Sequence, residues 1–291
     1  MLRPSAEVGR GGRNKMRALF AIALALTLVA TATQTLAATP TPVVYLALGD
    51  SLAEGIGASN IAETAYVPRL FHYFHGTAHG GVDTLVNLGI GGDTSYWFLS
   101  GTPWGAGPQL QQALAAINDP TTDTRIVTLD IGGNDLLNTL FGSAACHDIT
   151  SAACRAAMAA TLVAFAANYQ TILSALNAAL AADPGTERVF VMTYYNLWGG
   201  TGDPLEAVTD ALLLGSDLTI DCAANAADPT KAGLNDLIAC IGIANGAEVA
   251  DGFGAVGDNA LHLTHVAEGD VHPTDAGYAA LASAFMEAEK R

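Results

Sequence analysis

Five short apolar, β-branched runs alternate with helical patterns along this chain, and this alternation limits the possible folds more than any other feature. The runs cover residues 43–48, 82–88, 125–131, 188–194 and 247–251. Strands that alternate with helices pair in parallel through right-handed crossovers. The sequence therefore predicts a parallel sheet with helices on both faces, which is a three-layer α/β/α sandwich.

Helical patterns lie between and after these runs, at 68–74, 108–117, 152–182 and from 274 to about 290. The segment 152–182 has apolar residues at three-to-four spacing, and its interspersed polar residues argue against a membrane span. Thr274 is the expected N-cap of the last helix. Residues 196–240 are rich in Gly, Asp and Ala, and predict irregular loops with one or two short helices.

The first 38 residues are typical of a secretory signal peptide. Basic residues up to Arg17 precede an apolar run over 18–32, and small residues follow, with possible cleavage sites near 35–38. The apolar run has 15 residues, whereas a membrane span needs roughly 20, so a cleaved signal is favoured over an uncleaved anchor. The start codon is either Met1 or Met16, since residues 16–38 form a complete signal alone.

The charge balance of the remaining chain is strongly acidic. The predicted signal holds five of the 12 Lys and Arg residues and one of the 28 Asp and Glu residues, which leaves 7 basic and 27 acidic residues. Such a surface repels phosphate backbones and anionic lipid headgroups, so nucleic acid is excluded as a partner class. No stable membrane span is expected after signal cleavage, and a monomer is the default expectation.

All four cysteines lie in the part of the chain that export would deliver to an oxidising compartment, and they predict disulfides. Three pairings are possible. We favour Cys146–Cys154 and Cys222–Cys240, because each pair brackets a loop-like insertion. A zinc site is the alternative, but the spacings match no common zinc motif, and no metal is expected.

Polar segments follow three of the predicted strands, where open α/β proteins place their chemistry. Gly49-Asp50-Ser51-Leu52 follows the first run, residues 87–94 follow the second, and Gly132-Gly133-Asn134-Asp135 follows the third. A fourth segment, Asp270-Val271-His272-Pro273, precedes the last helix. Together they offer a serine nucleophile, an amide donor and an imidazole base, which is the set that ester hydrolysis by a serine requires.

These four segments, in this order, resemble the sequence blocks of the GDSL, or SGNH, hydrolase family of esterases and lipases. The resemblance covers residues 43–285 and implies a flavodoxin-like sandwich with a five-stranded parallel sheet, as a single SGNH-type hydrolase domain over 39–291. It implies that Ser51 is the nucleophile and His272 the base. It also implies that the Ser51 N–H, the Gly92 N–H and the Asn134 side chain form the oxyanion hole, with no cofactor.

The last block departs from the family pattern. The family has its acid three residues before the histidine, where this chain has Gly269. Asp270 stands two residues before His272, and in an extended segment residues two apart point to the same side. Asp270 is therefore a candidate to orient the imidazole, and a backbone carbonyl is the alternative.

Each motif residue also has an ordinary structural interpretation. Ser51 could cap the helix that follows it, Asn134 could be a turn residue, and His272 could be a loop histidine. Asp50 and Asp135 are expected to make turn and hydrogen-bonding contacts rather than to act as acids. The combination of the three motif residues favours catalysis over these alternatives.

Aromatic residues cluster near the expected mouth of the site. Trp97 and Trp198 lie in predicted loops and are the candidates for a substrate pocket, whereas Tyr194 is expected in the core. The histidine pairs 72/75 and 262/265 lack the spacing and the glutamate of the common zinc-protease motif, and are expected to be structural or exposed.

The leading hypothesis is a secreted ester hydrolase that acts through an acyl-enzyme on carboxylic esters of lipids, sugars or small alcohols. A deacetylase that acts on acetylated polysaccharide would use the same acyl-enzyme mechanism. The alternative class is a non-catalytic carbohydrate- or surface-binding module on a hydrolase-like scaffold. This alternative stays open because the acid is not at the family's usual position, three residues before the histidine. A Gly-x-Ser-x-Gly hydrolase and a phosphate-binding fold are disfavoured, because neither motif occurs.

Overall fold

A five-stranded parallel sheet in the order β2-β1-β3-β4-β5 forms the middle layer of the structure. The strands are β1 (Val43–Gly49), β2 (Thr84–Asn87), β3 (Asp123–Asp130), β4 (Arg188–Met192) and β5 (Glu248–Ala250). The structure is a computed structural model that describes residues 40–182 and 186–291, so the predicted signal segment 1–38 lies outside the described residues. The predicted fold class, a five-stranded α/β/α sandwich, is confirmed.

Twelve α-helices lie in the described part of the chain. In order they are α1 (Ser51–Glu54), α2 (Tyr66–Phe74), α3 (Ser95–Ser100), α4 (Gln109–Ile117), α5 (Gly133–Gly142), α6 (Ala152–Leu180), α7 (Leu205–Leu214), α8 (Cys222–Ala227), α9 (Leu234–Ala244), α10 (Gly252–Val256), α11 (Ala260–Leu263) and α12 (Asp275–Ala288). Helices α2, α10 and α12 pack together on one face of the sheet, and α3 to α6 with α9 cover the other. Thr274 caps α12 as predicted, since its Oγ1 accepts a hydrogen bond from the N–H of Gly277 at 3.2 Å.

The central strands are buried on both faces, which explains why they read as continuous apolar runs rather than as alternating patterns. All seven residues of β1 are buried, and β3 is buried along its length except at Arg125. Leu48 pairs with Leu129, and Gly49 pairs with Asp130, so β1 and β3 end at the same edge of the sheet.

The long helix α6 belongs to this sandwich. By length and composition it meets the criteria for a membrane span. One of its faces packs into the core through a set of residues at three-to-four spacing, namely Cys154, Met158, Phe165, Tyr169, Ile172, Leu173, Leu176 and Leu180. Its exposed face includes Arg155 and Gln170. This pattern fits a core helix of an α/β protein better than a span.

The segment 196–240 holds more helix than the sequence predicted. It contains α7 and α8, a short 3₁₀ turn at Pro229–Lys231 and the first half of α9. The ten residues of α7 are mostly apolar, and the polar, glycine-containing stretches lie on either side of it. The overall composition of residues 196–240 is rich in Gly, Asp and Ala, and it therefore gave no indication of the ten-residue helix α7.

Both predicted disulfides are present, and no described cysteine is free. Cys146–Cys154 joins the 3₁₀ turn after α5 to the first turn of α6, and Cys222–Cys240 joins α8 to α9. Bridges that close loops of this size stabilise a fold by roughly 2–4 kcal/mol each.

The strand order places the reversal of the sheet between β1 and β3. From β1 the chain moves outward to β2, and it then returns across β1 to β3. Ligand sites of open α/β sheets lie beyond the carboxyl ends of the strands at this switch point. Residues 50–52, after β1, and 132–135, after β3, both lie there.

Candidate active site

Ser51 is the first residue of α1, directly beyond the carboxyl end of β1. Asp50, not Ser51, caps this helix, because its Oδ1 accepts a hydrogen bond from the N–H of Leu52 at 2.9 Å. The interpretation of Ser51 as a helix cap is therefore wrong. Ser51 is 8% exposed, and its hydroxyl is not needed for the local fold.

The glycine before this turn is required by close packing. Gly49 has φ +144°, and a Cβ there would lie 1.5 Å from Oδ1 of Asp130. Its N–H donates to Oε1 of Gln109 at 2.7 Å, and its carbonyl accepts from Nε2 of the same side chain at 2.9 Å. The Gln109 side chain therefore hydrogen-bonds to both backbone groups of Gly49, as a neighbouring strand would. These two bonds fix the turn that leads to Ser51.

The two backbone N–H groups predicted for the oxyanion hole, those of Ser51 and Gly92, have no hydrogen-bond partner among the described residues. Gly92 has φ +78° in the loop after β2, a conformation that favours glycine. Unpartnered N–H groups of this kind are what an oxyanion hole consists of.

Asn134 lies in the first turn of α5, so it is not the turn residue of the alternative interpretation. Its Nδ2 donates to the carbonyl of Asp93 at 3.0 Å and, more weakly, to Oδ2 of Asp50 at 3.3 Å. Both amide hydrogens therefore have protein partners in this structure. The longer contact to Asp50 is the one that a ligand oxygen could replace.

The segment before α12 carries the imidazole. Nδ1 of His272 donates to Oδ1 of Asp270 at 2.5 Å, and the N–H of His272 donates to the same oxygen at 3.1 Å. Partial burial acts to raise the pKa of Asp270, but the hydrogen bonds and charge of His272 outweigh it and lower that pKa below its ordinary value. The carboxylate two residues before the histidine thus contacts the ring, and no backbone carbonyl takes this position.

Several backbone contacts hold this histidine segment in place. The carbonyl of His272 accepts from the N–H of His265 at 2.9 Å, and Pro273 bridges to Thr264. The hydroxyl of Tyr195 donates to the carbonyl of Val271 at 2.8 Å. A Cβ on Gly57 would lie 2.7 Å from Cβ of His272, so the loop after α1 packs closely against the segment.

Ser51, Asn134 and His272 line one cavity. Its empty volume, including the part open to solvent at the mouth, is about 700 Å³. No hydrogen bond joins Ser51 to His272 among the described residues. Catalytic hydrogen bonds are often long before substrate binds, so the shared cavity is the relevant observation.

The cavity is polar at Ser51 and apolar elsewhere. Its apolar wall comes from α1, α5, α6, α7, α9 and the loop after β4, and consists of Leu52, Leu136, Leu137, Leu140, Met158, Leu197, Leu212, Leu213 and Leu234. Much of this wall lies in the segment 196–240, where the sequence offered no motif.

The aromatic candidates divide. Trp198 lines the cavity, whereas Trp97 does not and instead packs edge to face on Trp104 with ring centroids 5.2 Å apart. The pocket role of Trp97 stays a prediction, since α3 directs its ring towards Trp104 rather than towards this cavity. The assignment of Tyr194 to the core alone is incomplete: it is buried, but it lines the cavity and its hydroxyl donates to Oδ2 of Asp50 at 2.6 Å.

Tyr194 and Tyr195, two of the aromatic residues expected near the mouth, both line the cavity, although the sequence favoured a core position for Tyr194. They follow β4 directly, as Ser51 and Asn134 follow β1 and β3. The rule that strand ends at one sheet edge converge could have placed Tyr194 there.

Buried carboxyl groups lie beneath the cavity. Burial raises the pKa of Asp50 to about 6, against the opposing hydrogen bonds from Leu52 and Tyr194. Burial also raises the pKa of Asp93 to about 7 and that of Asp130 well above its ordinary value. Asp135 accepts from the N–H and hydroxyl of Ser95, so both motif-flanking aspartates make the hydrogen-bonding contacts that were predicted.

The remaining histidines make local contacts. His75 contacts the carbonyl of Val82 at 2.6 Å through Nδ1, and His265 contacts that of Gly57 at 3.1 Å through Nε2. Among residues 40–182 and 186–291, no group of three or more His, Cys, Asp or Glu side chains is arranged to hold a metal ion.

The cavity lies at the switch point of a five-stranded parallel α/β/α sandwich, which is where proteins of this fold class bind their ligands. The chain belongs to the GDSL-like lipase/acylhydrolase family, whose sequence model matches residues 47–280. It is accordingly a carboxylic ester hydrolase.

Solved structures share this fold at low sequence identity. The acetylxylan esterase Axe2 of Geobacillus stearothermophilus is 17% identical, with a TM-score of 0.53 over 85% of this chain and 94% of that one. The lipase Lip_vut3 from a goat rumen metagenome is 18% identical, with a TM-score of 0.56 over 84% of this chain and 97% of that one. A search of curated proteins by sequence finds no match.

Proposed function

We propose that this protein is an exported serine hydrolase that cleaves carboxylic esters through an acyl-enzyme on Ser51. One observation carries the proposal: Ser51 shares a cavity with an imidazole that is hydrogen-bonded to Asp270, and in the described chain the Ser51 N–H donates to no other protein group. A nucleophile, an oriented base and anion-binding donors are the parts that acyl transfer needs.

In the first half-reaction, Oγ of Ser51 attacks the ester carbonyl carbon while Nε2 of His272 takes the hydroxyl proton. The carbonyl oxygen becomes an oxyanion and accepts from the N–H groups of Ser51 and Gly92. Collapse of this intermediate breaks the bond to the alcohol oxygen, which receives the proton from His272. The acyl group stays on Ser51.

In the second half-reaction, His272 removes a proton from water, and the hydroxide attacks the acyl-enzyme. The same donors hold the second oxyanion, and the proton returns from His272 to Oγ of Ser51 as the acid leaves. Asp270 keeps the imidazole proton on Nδ1 throughout, so Nε2 is free to accept.

Asn134 enters this scheme as the third oxyanion donor. Its 3.3 Å contact with Asp50 is long for a hydrogen bond to a carboxylate, whereas its 3.0 Å bond to the Asp93 carbonyl fixes the amide orientation. An oxyanion would compete with Asp50 for one amide hydrogen, while the other stays on Asp93.

Ser51→Ala tests the proposal. The variant should retain its fold, because the hydroxyl makes no hydrogen bond to another protein group in the described chain, and should lose at least about 10⁴-fold in kcat on p-nitrophenyl butyrate. Ser100→Ala, an exposed serine on α3, is the matched control and should keep full activity. Full turnover by Ser51→Ala would overturn the proposal, and a wild type that cleaves no ester would favour the binding-module alternative.

Export is the second part of the proposal. Its support is the predicted signal at 1–38 and the two disulfides, which persist in oxidising compartments. The mature enzyme is proposed to be a monomer that takes small-molecule, lipid or sugar esters and binds neither nucleic acid nor, once cleaved, the membrane through a stable span. Mass spectrometry of the exported protein should find its N-terminus near residues 38–39.

A further inference from the structure

A second apolar cavity adjoins the one that contains Ser51. It is an open groove between α6 and α7, with a volume of about 1220 Å³ counted to solvent. Leu140, Met158 and Leu212 line both the groove and the inner cavity. Among the described residues, these three side chains, one from each of α5, α6 and α7, are the ones shared between the two spaces, so they form a partition.

The three side chains of this partition can change conformation to let a ligand pass. Met158 is buried, and methionine is unbranched and adapts to irregular apolar spaces at low cost. Leu140 and Leu212 are only partly buried. A flexible apolar chain that entered from Ser51 would meet leucines in the inner cavity, then this partition, and then the groove.

The lining of the groove is mostly apolar, with Ile149, Leu162, Val208 and Ala211 among its residues, and Thr150, Ser216 and Thr230 are its uncharged polar residues. Two basic side chains lie at its edge, but both have partners: Arg155 donates to the carbonyl of Thr150, and Lys231 lies 3.7 Å from Asp228. The groove thus offers burial to hydrocarbon, and each of its two basic side chains already has a protein partner.

We propose that the two cavities form one acyl-binding channel, and that long-chain acyl esters are the substrate class of this enzyme. The inference rests on the proposed function of Ser51. The carbonyl carbon lies at Ser51, the proximal methylenes fill the leucine-lined cavity, and the distal methylenes pass between Leu140, Met158 and Leu212 into the groove. Each methylene so buried favours the longer ester by roughly fourfold in kcat/KM, if transfer from water is realised in the transition state.

A matched pair of substitutions on α6 tests the outer half of the channel. Ala159 is exposed and lines only the groove, whereas its neighbour Ala160 is exposed and lines neither cavity. A tryptophan at either position has open space around it, so both variants should fold. Ala159→Trp fills the groove, and Ala160→Trp controls for the added ring and the helix propensity.

The measurement is kcat/KM on p-nitrophenyl esters from acetyl through butyryl and octanoyl to palmitoyl, at substrate concentrations below micelle formation. The wild type should favour the longer chains. Ala159→Trp should lower kcat/KM on the palmitoyl ester at least about tenfold and leave the butyryl ester within twofold. Ala160→Trp should match the wild type on every ester.

A wild type that is fastest on acetyl ester would overturn the channel, and so would an Ala159→Trp variant whose profile equals that of Ala160→Trp. Either result with active enzyme leaves the role of Ser51 intact. If no ester is cleaved and a fluorophosphonate does not label Ser51, the proposed function fails, and the channel fails with it.

Discussion

At the residue scale, the contact between Asp270 and His272 is the part of the site that departs most from the family pattern. Two residues of separation suffice because a single carboxylate oxygen accepts from both the ring and the backbone N–H of His272. Asp270 is 47% exposed, so solvent weakens its influence on the ring compared with that of a buried acid.

Asp270→Asn should therefore lower kcat/KM by roughly 10- to 1000-fold, less than the loss of about 10⁴-fold that follows removal of a buried triad acid. The measurement is kcat/KM on a short ester from pH 5 to pH 9.

Glu268→Gln is the control for this prediction. Glu268 is also close in sequence, but it contacts His265 at 3.9 Å rather than His272. It should retain activity within about twofold, as is usual for an exposed charge away from the site. An Asp270→Asn variant with wild-type kcat/KM would assign the orienting role elsewhere.

At the element scale, the sequence predicted those parts of the fold that have strong local signals. The five strands were found from their apolar runs, and the signal is strongest for β1, β3 and β4, because strands buried on both faces admit few polar residues. The catalytic candidates were found because each follows directly on the end of such a strand, as Ser51 follows β1 and Asn134 follows β3.

The elements that were missed lack a local signal. Helix α7 lies between Gly-rich loops, and its role depends on tertiary contact: Leu212 and Leu213 form the cavity wall only because α7 packs near α5 and α6. Trp97 was placed in the pocket from its position in a predicted loop, but it lies in α3, a helix capped by Thr94. Side-chain direction depends on that helix, and the loop assignment could not supply it.

At the scale of the whole molecule, buried acids and net charge make stability depend on pH. The folded-state pKa values of Asp50 and Asp93 are raised by burial to about 6 and about 7, so between pH 4 and pH 7 the folded protein binds more protons than the unfolded chain. The free energy of unfolding therefore falls as pH rises through this window. The excess of acidic residues also lowers the free energy of unfolding as pH rises, because repulsion between the carboxylates increases as they ionise.

At lower pH, other carboxylates reverse this dependence of the unfolding free energy on pH. Hydrogen bonds from Ser59 and Thr64 lower the pKa of Asp275 to about 2, and His272 lowers that of Asp270. Their stabilisation is present above about pH 4 and is lost as pH falls further.

We thus expect the highest Tm near pH 4–5 and a lower Tm at pH 8, with a difference on the order of 1–3 kcal/mol in unfolding free energy. Thermal unfolding of the disulfide-intact protein at constant ionic strength measures this directly. Activity should follow the opposite trend, because the base must be neutral to accept a proton. A Tm that rises steadily from pH 5 to pH 8 would contradict the assignment of the buried acids.

The central claim, that Ser51 is the nucleophile, is tested most directly by the intact mass of the protein after reaction with a fluorophosphonate. The account predicts one adduct per chain, located by peptide mapping on Ser51 and absent from Ser51→Ala. An unmodified wild type, or an adduct on another residue that persists in Ser51→Ala, would contradict it.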